Sequence, residues 1–198
     1  MTIKLVGIVG AGTMGNGIAQ ACAVAGVDAL MLDVNAAALE RGVATISGSL
    51  DRLLKKEKIT AEQKAAAMAR VKTTQTLADL AACDYVIEAA TENEGLKIKI
   101  LKDLDAALKP ETIIATNTSS ISITQLAAAT NRPDRFIGMH FFNPVPMMAL
   151  VELIRGLATS DATLATAQGL ATSLGKTPIT VKNSPGFVVN RILCPMIN

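Results

Sequence analysis

The only histidine of the chain, His140, ends an apolar run, Phe136 to Phe142, that reads as a β-strand and leads into a Pro-containing stretch. Glu152 lies in a second run of this kind, Leu150 to Arg155, among Leu150, Val151, Leu153 and Ile154. Imidazole is the side chain best suited to moving a proton near neutral pH. If the two strands run antiparallel, the carboxylate reaches one ring nitrogen, fixes the tautomer, orients the ring and stabilises the imidazolium. Such a pair can take the proton of a hydroxyl while a hydride leaves the carbon that bears it. Each residue also has a plain structural reading, as a satisfied core histidine and as a charge on a strand edge. Four apolar neighbours point to burial of Glu152, and a buried carboxylate needs a partner. One histidine excludes any multi-histidine metal site, and no metal is expected.

A hydride needs an acceptor, and the N-terminus carries a pattern for one. Gly10-Ala11-Gly12-Thr13-Met14-Gly15 follows an apolar strand, Ile3 to Val9, and opens a small-residue helix from about Thr13 to Ala25. In a GxGxxG turn the first glycine, Gly10, permits the tight bend, and Gly12 lets the backbone approach a pyrophosphate. Gly15 lets the helix pack closely on the strand. The free N–H groups at the helix start, around Thr13 and Met14, and the positive end of its dipole then hold phosphate. A second strand, Val27 to Leu32, ends in Asp33, eighteen residues after Gly15. An acid there accepts hydrogen bonds from the adenine ribose hydroxyls and repels a 2′-phosphate. Val34 and Asn35 offer no cation to hold one, so NAD is favoured over NADP.

These residues need a scaffold, and the rest of the chain alternates strand and helix signals. Asn35 is a candidate N-cap for a long helix to about Lys58, and Thr60 with Gln63 fits a capping box for a shorter one to about Ala69. The two form a helical hairpin after the second strand. Further strands are expected over 71–73, 85–89, 112–116 and 178–181. Helices are expected over about 94–108 and 161–174, with Ser122 and Gln125 repeating the capping-box spacing before a short helix. The order implies an α/β fold of Rossmann type, a doubly wound, mostly parallel sheet with an inserted helical hairpin.

Composition fits that scaffold. Of 198 residues 50% are hydrophobic but only 3% aromatic, so the core is built from Ala, Val, Ile and Leu. A formal net charge of +2 gives no ground for nucleic acid or an anionic membrane as partner. Cys22, Cys83 and Cys194 are scattered and form no CxxC pair, which argues against disulfides and structural zinc. Lys4 before an apolar run and Ala21-Cys22-Ala23 imitate a signal peptide, but five glycines and Asn16 interrupt the run. No apolar run reaches the roughly 18 residues of a membrane span. A cytoplasmic protein is expected.

Longer motifs narrow the chemistry. Asn117-Thr118-Ser119-Ser120, then Gly138-Met139-His140-Phe141-Phe142-Asn143-Pro144-Val145-Pro146, then Leu150-Val151-Glu152-Leu153, then Asn183-Ser184-Pro185-Gly186-Phe187-Val188-Val189-Asn190-Arg191 stand in this order after the glycine loop. Together they resemble the L-3-hydroxyacyl-CoA dehydrogenase family over essentially the whole chain, and most of all its 3-hydroxybutyryl-CoA members. The resemblance implies that His140 and Glu152 form the catalytic dyad and that Ser119 bonds the substrate's 3-oxygen. It implies that Asn190 holds substrate or intermediate against His140. It places Glu92, Lys97 and Asn143 at the nicotinamide half of NAD, Asn117 and Ser119 among the cofactor contacts, and Ser49 and Lys56 of the hairpin at the CoA. For the hairpin lysines, Lys55, Lys56 and Lys58, a solvated helix face is an equal reading. Glu92 and Lys97 read equally well as a solvated pair at a helix start.

The resemblance also implies a helical C-terminal domain of about 100 more residues, ordinary in size, that forms a homodimer and closes the cleft. On that reading 1–182 is the NAD-binding domain, with the hairpin at about 36–70. Residues 183–198 are a linker and the start of a helical domain largely absent from this chain, which is then expected to turn over poorly. Two other readings remain open at this point. One is a related hydroxyacid or sugar-acid dehydrogenase; the other is an NAD-binding module without catalysis.

Overall fold

The computed structural model describes residues 3–197. One eight-stranded sheet carries the molecule, in the order β3-β2-β1-β4-β5-β6-β7-β8. The strands are β1 (Leu5–Val9), β2 (Asp28–Leu32), β3 (Val71–Thr74), β4 (Tyr85–Glu88), β5 (Ile113–Thr116), β6 (Phe136–Phe141), β7 (Leu150–Arg155) and β8 (Thr177–Lys182). Every neighbouring pair is parallel except β6 and β7. The helices are α1 (Thr13–Val24), α2 (Ala36–Lys55), α3 (Ala61–Arg70), α4 (Glu94–Ala107), α5 (Ile123–Ala127), α6 (Asp161–Ser173) and α7 (Val189–Ile197). Short 3-10 segments over Leu77–Ala82 and Pro133–Arg135 have no counterpart in the sequence reading.

Strand alternation splits the core in two. Val6, Ile8, Tyr85, Ile87, Ala115, Met139, Val151 and Leu153 pack with residues of α1, α2, α3 and α6 on one face. Val86, Ile114, Phe136 and Ile154 pack with residues of α4, α5 and Phe187 on the other. Because successive strand side chains point to opposite faces, Glu88, Thr116, His140 and Glu152 all fall on the second face. All four lie at one end of the sheet, since β4, β5 and β6 are parallel and His140 sits opposite Glu152 in the β6–β7 register. The strand order reverses between β1 and β4, the position where open α/β sheets leave a crevice beyond the carboxyl ends of the strands.

Caps form mostly as the local signals require. The Asn35 side chain accepts from Ala37 N–H at the start of α2, and Thr60 with Gln63 makes a reciprocal capping box on α3. The long helix ends at Lys55, three residues short of expectation. At α5 only half of the second box exists: Ser122 accepts from Gln125 N–H, while the Gln125 side chain donates to Glu94 instead. The charge-assisted bond from the amide nitrogen to Glu94 turns the Gln125 side chain away from the N-cap N–H.

The C-terminus of α4 is closed by a residue distant in sequence. Arg132 Nε donates to Asp105 Oδ1 at 2.7 Å, and its other nitrogens reach the carbonyls of Asp105, Leu108, Lys109 and Thr112. Orphan helix carbonyls thus find a cation. Burial pushes the Asp105 carboxyl up, but hydrogen bonds from Asn131 and Arg132 outweigh it and hold the group below its ordinary range. A lowered native value contributes stability that is present above the unfolded value, near about 3.9, and is lost as pH falls through the native one. Asp105→Ala is therefore expected to cost about 3 kcal/mol at neutral pH, the usual scale for stranding one partner of a buried pair. The gap between parent and variant should narrow below about pH 4. Urea unfolding across pH checks both; a gap unchanged down to about pH 2 contradicts the assignment.

Candidate active site

The glycine loop forms the first wall. Gly10 has φ +100°, and a Cβ there would meet Ala90 Cα at 2.7 Å. At Gly15 a Cβ would overlap the Gly10 carbonyl oxygen and touch Ile8, so α1 and β1 pack as closely as a glycine allows. A Cβ at Gly12 meets nothing within 4 Å. Gly12 therefore faces open space rather than protein, which is where an approaching phosphate needs bare backbone. Gly12 is also the N-cap of α1, with no side chain capping it and no acid in the first turn. These free N–H groups suit an anion.

Asp33 reinforces the loop. Its Oδ2 accepts from Ala11 N–H at 2.9 Å and its Oδ1 from Asn35 N–H at 3.0 Å. A carboxylate offers about four lone-pair positions, so two remain for a ligand hydroxyl. Beside it, a cavity of about 450 Å³ runs between Gly10, Asp33, Val34, Leu77 and Ile100. A second cavity, about 460 Å³, lies on the other side of Ala90 and Thr91. Gly12, Thr13, Met14, Glu92, Lys97, Asn117, Ser119, His140 and Asn143, all singled out from sequence, line it. The two cavities flank the loop as the two halves of a dinucleotide would, so the residues present fit NAD.

His140 lines the second cavity, with Glu152 buried behind it. His140 Nδ1 lies 2.8 Å from Glu152 Oε2. Glu152 is fully buried and His140 is 7% exposed. The rings of Phe142 and Phe187 lie 4.5 and 5.8 Å from the imidazole centre. The antiparallel pairing of β6 and β7 is what brings the two together, since His140 and Glu152 are direct cross-strand partners. A carboxylate only accepts, so in the neutral imidazole this contact assigns the proton to Nδ1 and leaves the lone pair on Nε2. The other oxygen of Glu152 accepts from the N–H groups of Val188 and Val189, at 3.0 and 2.9 Å, at the start of α7.

Ser119 and Asn190 join this cluster. Ser119 donates from both N–H and Oγ to Glu92 Oε1, at 2.6 and 2.8 Å. Asn190 Nδ2 donates to the Ser119 carbonyl at 3.3 Å. The segment that carries Asn190 is pinned upstream as well. Asn183 accepts from Ile123 N–H and donates to Ser122 Oγ and Thr124 Oγ1. Asn117 Oδ1 accepts from Phe141 N–H at 2.8 Å and so fixes the strand end beside His140.

The hairpin residues form a separate cavity of about 520 Å³. It gathers Ser49 and Lys56 with Arg52 and Lys58, and it shares Thr13 and Asn143 with the dyad's cavity. Three cations in one wall suit a polyanion.

Residues 5–184 match the family described as "3-hydroxyacyl-CoA dehydrogenase, NAD binding domain". The chain belongs to the 3-hydroxyacyl-CoA dehydrogenase family. It is 55% identical over 196 residues to a Bradyrhizobium diazoefficiens protein named 3-hydroxybutyryl-CoA dehydrogenase, covering 99% of this chain and 67% of that one. It is 46% identical over 188 residues to the fatty acid oxidation complex subunit alpha of Acinetobacter baylyi, covering 95% of this chain and 26% of that one. The crystal structure of (S)-3-hydroxybutyryl-CoA dehydrogenase from Ralstonia eutropha superposes with a TM-score of 0.98 at 68% identity. That match covers all of this chain and 70% of the other.

Within this dehydrogenase fold one reading of the sequence needs correcting. Glu92 and Lys97 are not a solvated pair: Lys97 is 1% exposed and its Nζ lies 2.5 Å from Glu88, against 3.9 Å from Glu92. Glu88, which carries this contact, was not singled out from sequence. The signal available was an acid closing an apolar strand, Tyr85-Val86-Ile87-Glu88, as Glu152 interrupts β7. Arg52 was missed as well, and Phe142 and Phe187 stood in the motifs without a role; the fold alone brings Arg52 and Phe187 to the site. Among the described residues no helix is long and apolar enough to cross a membrane, and no His/Cys/Asp/Glu cluster could hold a metal ion.

Proposed function

We propose that this chain is the NAD-dependent catalytic portion of an enzyme interconverting (S)-3-hydroxyacyl-CoA and 3-ketoacyl-CoA, with the 3-hydroxybutyryl thioester as substrate. The observation that carries this is the His140–Glu152 pair in a cavity whose opposite wall is the phosphate-binding glycine loop. NAD, when bound, supplies the hydride acceptor. His140 Nε2 takes the hydroxyl proton as the carbonyl forms, and returns it in the reverse direction. Glu152 holds the ring and balances the imidazolium. Ser119 and Asn190 position the 3-oxygen. The cation-bearing cavity around Ser49 and Lys56 takes the CoA nucleotide, and its shared wall at Asn143 brings the thioester arm toward His140.

NADH-dependent reduction of acetoacetyl-CoA by the protein tests the reading. Turnover, even slow, with loss on replacing His140, supports it; NADH binding without any detectable turnover of an acyl-CoA leaves only a cofactor-binding module. Cofactor choice is a separate expectation. NAD(H) should bind about tenfold or more tightly than NADP(H), because Asp33 places a fixed negative charge where a 2′-phosphate would sit. Asp33→Ser should narrow that ratio by calorimetric titration. Equal affinities in the parent protein contradict the role given to Asp33.

A further inference from the structure

We propose that Glu88 sets the balance between oxidised and reduced cofactor by compensating the charge of Lys97. The inference rests on the reading that the cavity beside His140 receives the nicotinamide ring. That ring carries a positive charge in NAD⁺ and none in NADH. Any fixed charge in the wall therefore acts on one redox form and hardly on the other.

Lys97 belongs to this wall, and Glu88 does not. Lys97 lines the cavity almost fully buried, and its ammonium is paired with the Glu88 carboxylate. Glu88 is fully buried at the end of β4, and three of its about four acceptor positions are taken by protein donors. Its Oε2 takes Lys97 Nζ at 2.5 Å and Thr116 Oγ1 at 2.8 Å. Its Oε1 takes the N–H of Ala90 at 2.9 Å. Glu92 lies to the side, with Oε2 at 3.9 Å from the same ammonium. The other titratable groups here are His140 and, behind it, Glu152.

Burying a lysine and a glutamate is costly even as a pair, and well-packed apolar residues of similar volume hold a fold as well. The pair therefore asks for a reason beyond stability. A bare lysine in this wall would repel the nicotinamide cation and leave the neutral reduced ring untouched. With Glu88 behind it and Glu92 beside it, the group carries a net negative charge, and NAD⁺ enters without that penalty. Glu88 is thus a positioning and charge-setting residue that never touches the cofactor.

The test is the ratio of dissociation constants, Kd(NAD⁺)/Kd(NADH), from fluorescence titration of NADH and its displacement by NAD⁺. Glu88→Gln should raise the ratio on the order of tenfold, because the carboxylate acts on the ring from behind Lys97 and not in contact with it. The double variant Glu88→Gln with Lys97→Met removes both charges and should bring the ratio back to within about threefold of the parent. Glu92→Gln changes an exposed side chain, keeps the fold, and should raise the ratio in the same direction by a smaller factor. A purely structural role for Glu88 would weaken both forms by one factor, in the single and the double variant alike. That result, or an unmoved ratio in both Glu88→Gln and Glu92→Gln, overturns the proposal. A parent protein that binds neither form would instead overturn the reading of the cavity itself.

Discussion

Replacing His140 by Gln is expected to lower kcat for acetoacetyl-CoA reduction by about 10³-fold, within the range of about 10²–10⁴ that one positioned acid/base supplies. Glutamine keeps a similar reach and a hydrogen-bonding tip, so the cavity keeps its shape. It has no titratable nitrogen, so the 3-oxygen that forms as hydride arrives has no proton donor. His140 lies between two phenylalanine rings and is nearly closed to solvent, so bulk water is a poor substitute. Nothing in the glycine loop or around Asp33 contacts residue 140 by hydrogen bond, so the Kd for NADH should stay within about threefold of the parent. Steady-state kinetics and a cofactor titration on one preparation separate the two effects. A variant that turns over within tenfold of the parent would assign the proton to another group.

The parts of this site that were legible in the sequence are those whose meaning is local. Gly10, Gly12 and Gly15 act within one turn, and Asp33 closes the next strand, so six residues and one spacing define the phosphate end. The His140–Glu152 contact was legible only conditionally. It required β6 and β7 to run antiparallel in a sheet otherwise parallel, and the resemblance, not the alternation, chose that case. The Lys97 partnership was not legible, because the nearer acid in sequence, Glu92, competes with Glu88, and only the packing of α4 on β4 and β5 decides between them. For the same reason Gln125 left its capping box for Glu94. Phe187 is a further instance: its φ of +49° and its place in the core follow from docking the segment after β8, not from any turn signal beyond Gly186.

Glu152→Gln is expected to cost about as much as loss of His140 itself, on the order of 10³–10⁴-fold in kcat, although it removes no atom from the acid/base. The reason is the division of labour between the two oxygens. Oε1 accepts two backbone N–H groups at the start of α7, and Oε2 accepts from His140 Nδ1. Glutamine has one oxygen and one amide nitrogen. The two N–H groups need an acceptor, and an unmet buried donor costs about 1–3 kcal/mol, so the oxygen goes to Val188 and Val189. The amide then points its own donor at Nδ1. That nitrogen becomes the acceptor, the ring proton moves to Nε2, and the face toward the cavity has no lone pair to receive the substrate proton. An aspartate-to-asparagine change in a serine protease acts through the same tautomer reversal and costs about 10⁴. Substrate and cofactor contacts are unaltered, so KM should move by less than about tenfold. Nitrogen-15 NMR of the single histidine reads the tautomer directly: the proton should sit on Nδ1 in the parent and on Nε2 in Glu152→Gln. A variant that keeps the Nδ1 proton, or turns over within tenfold of the parent, would show that Glu152 does not govern the imidazole.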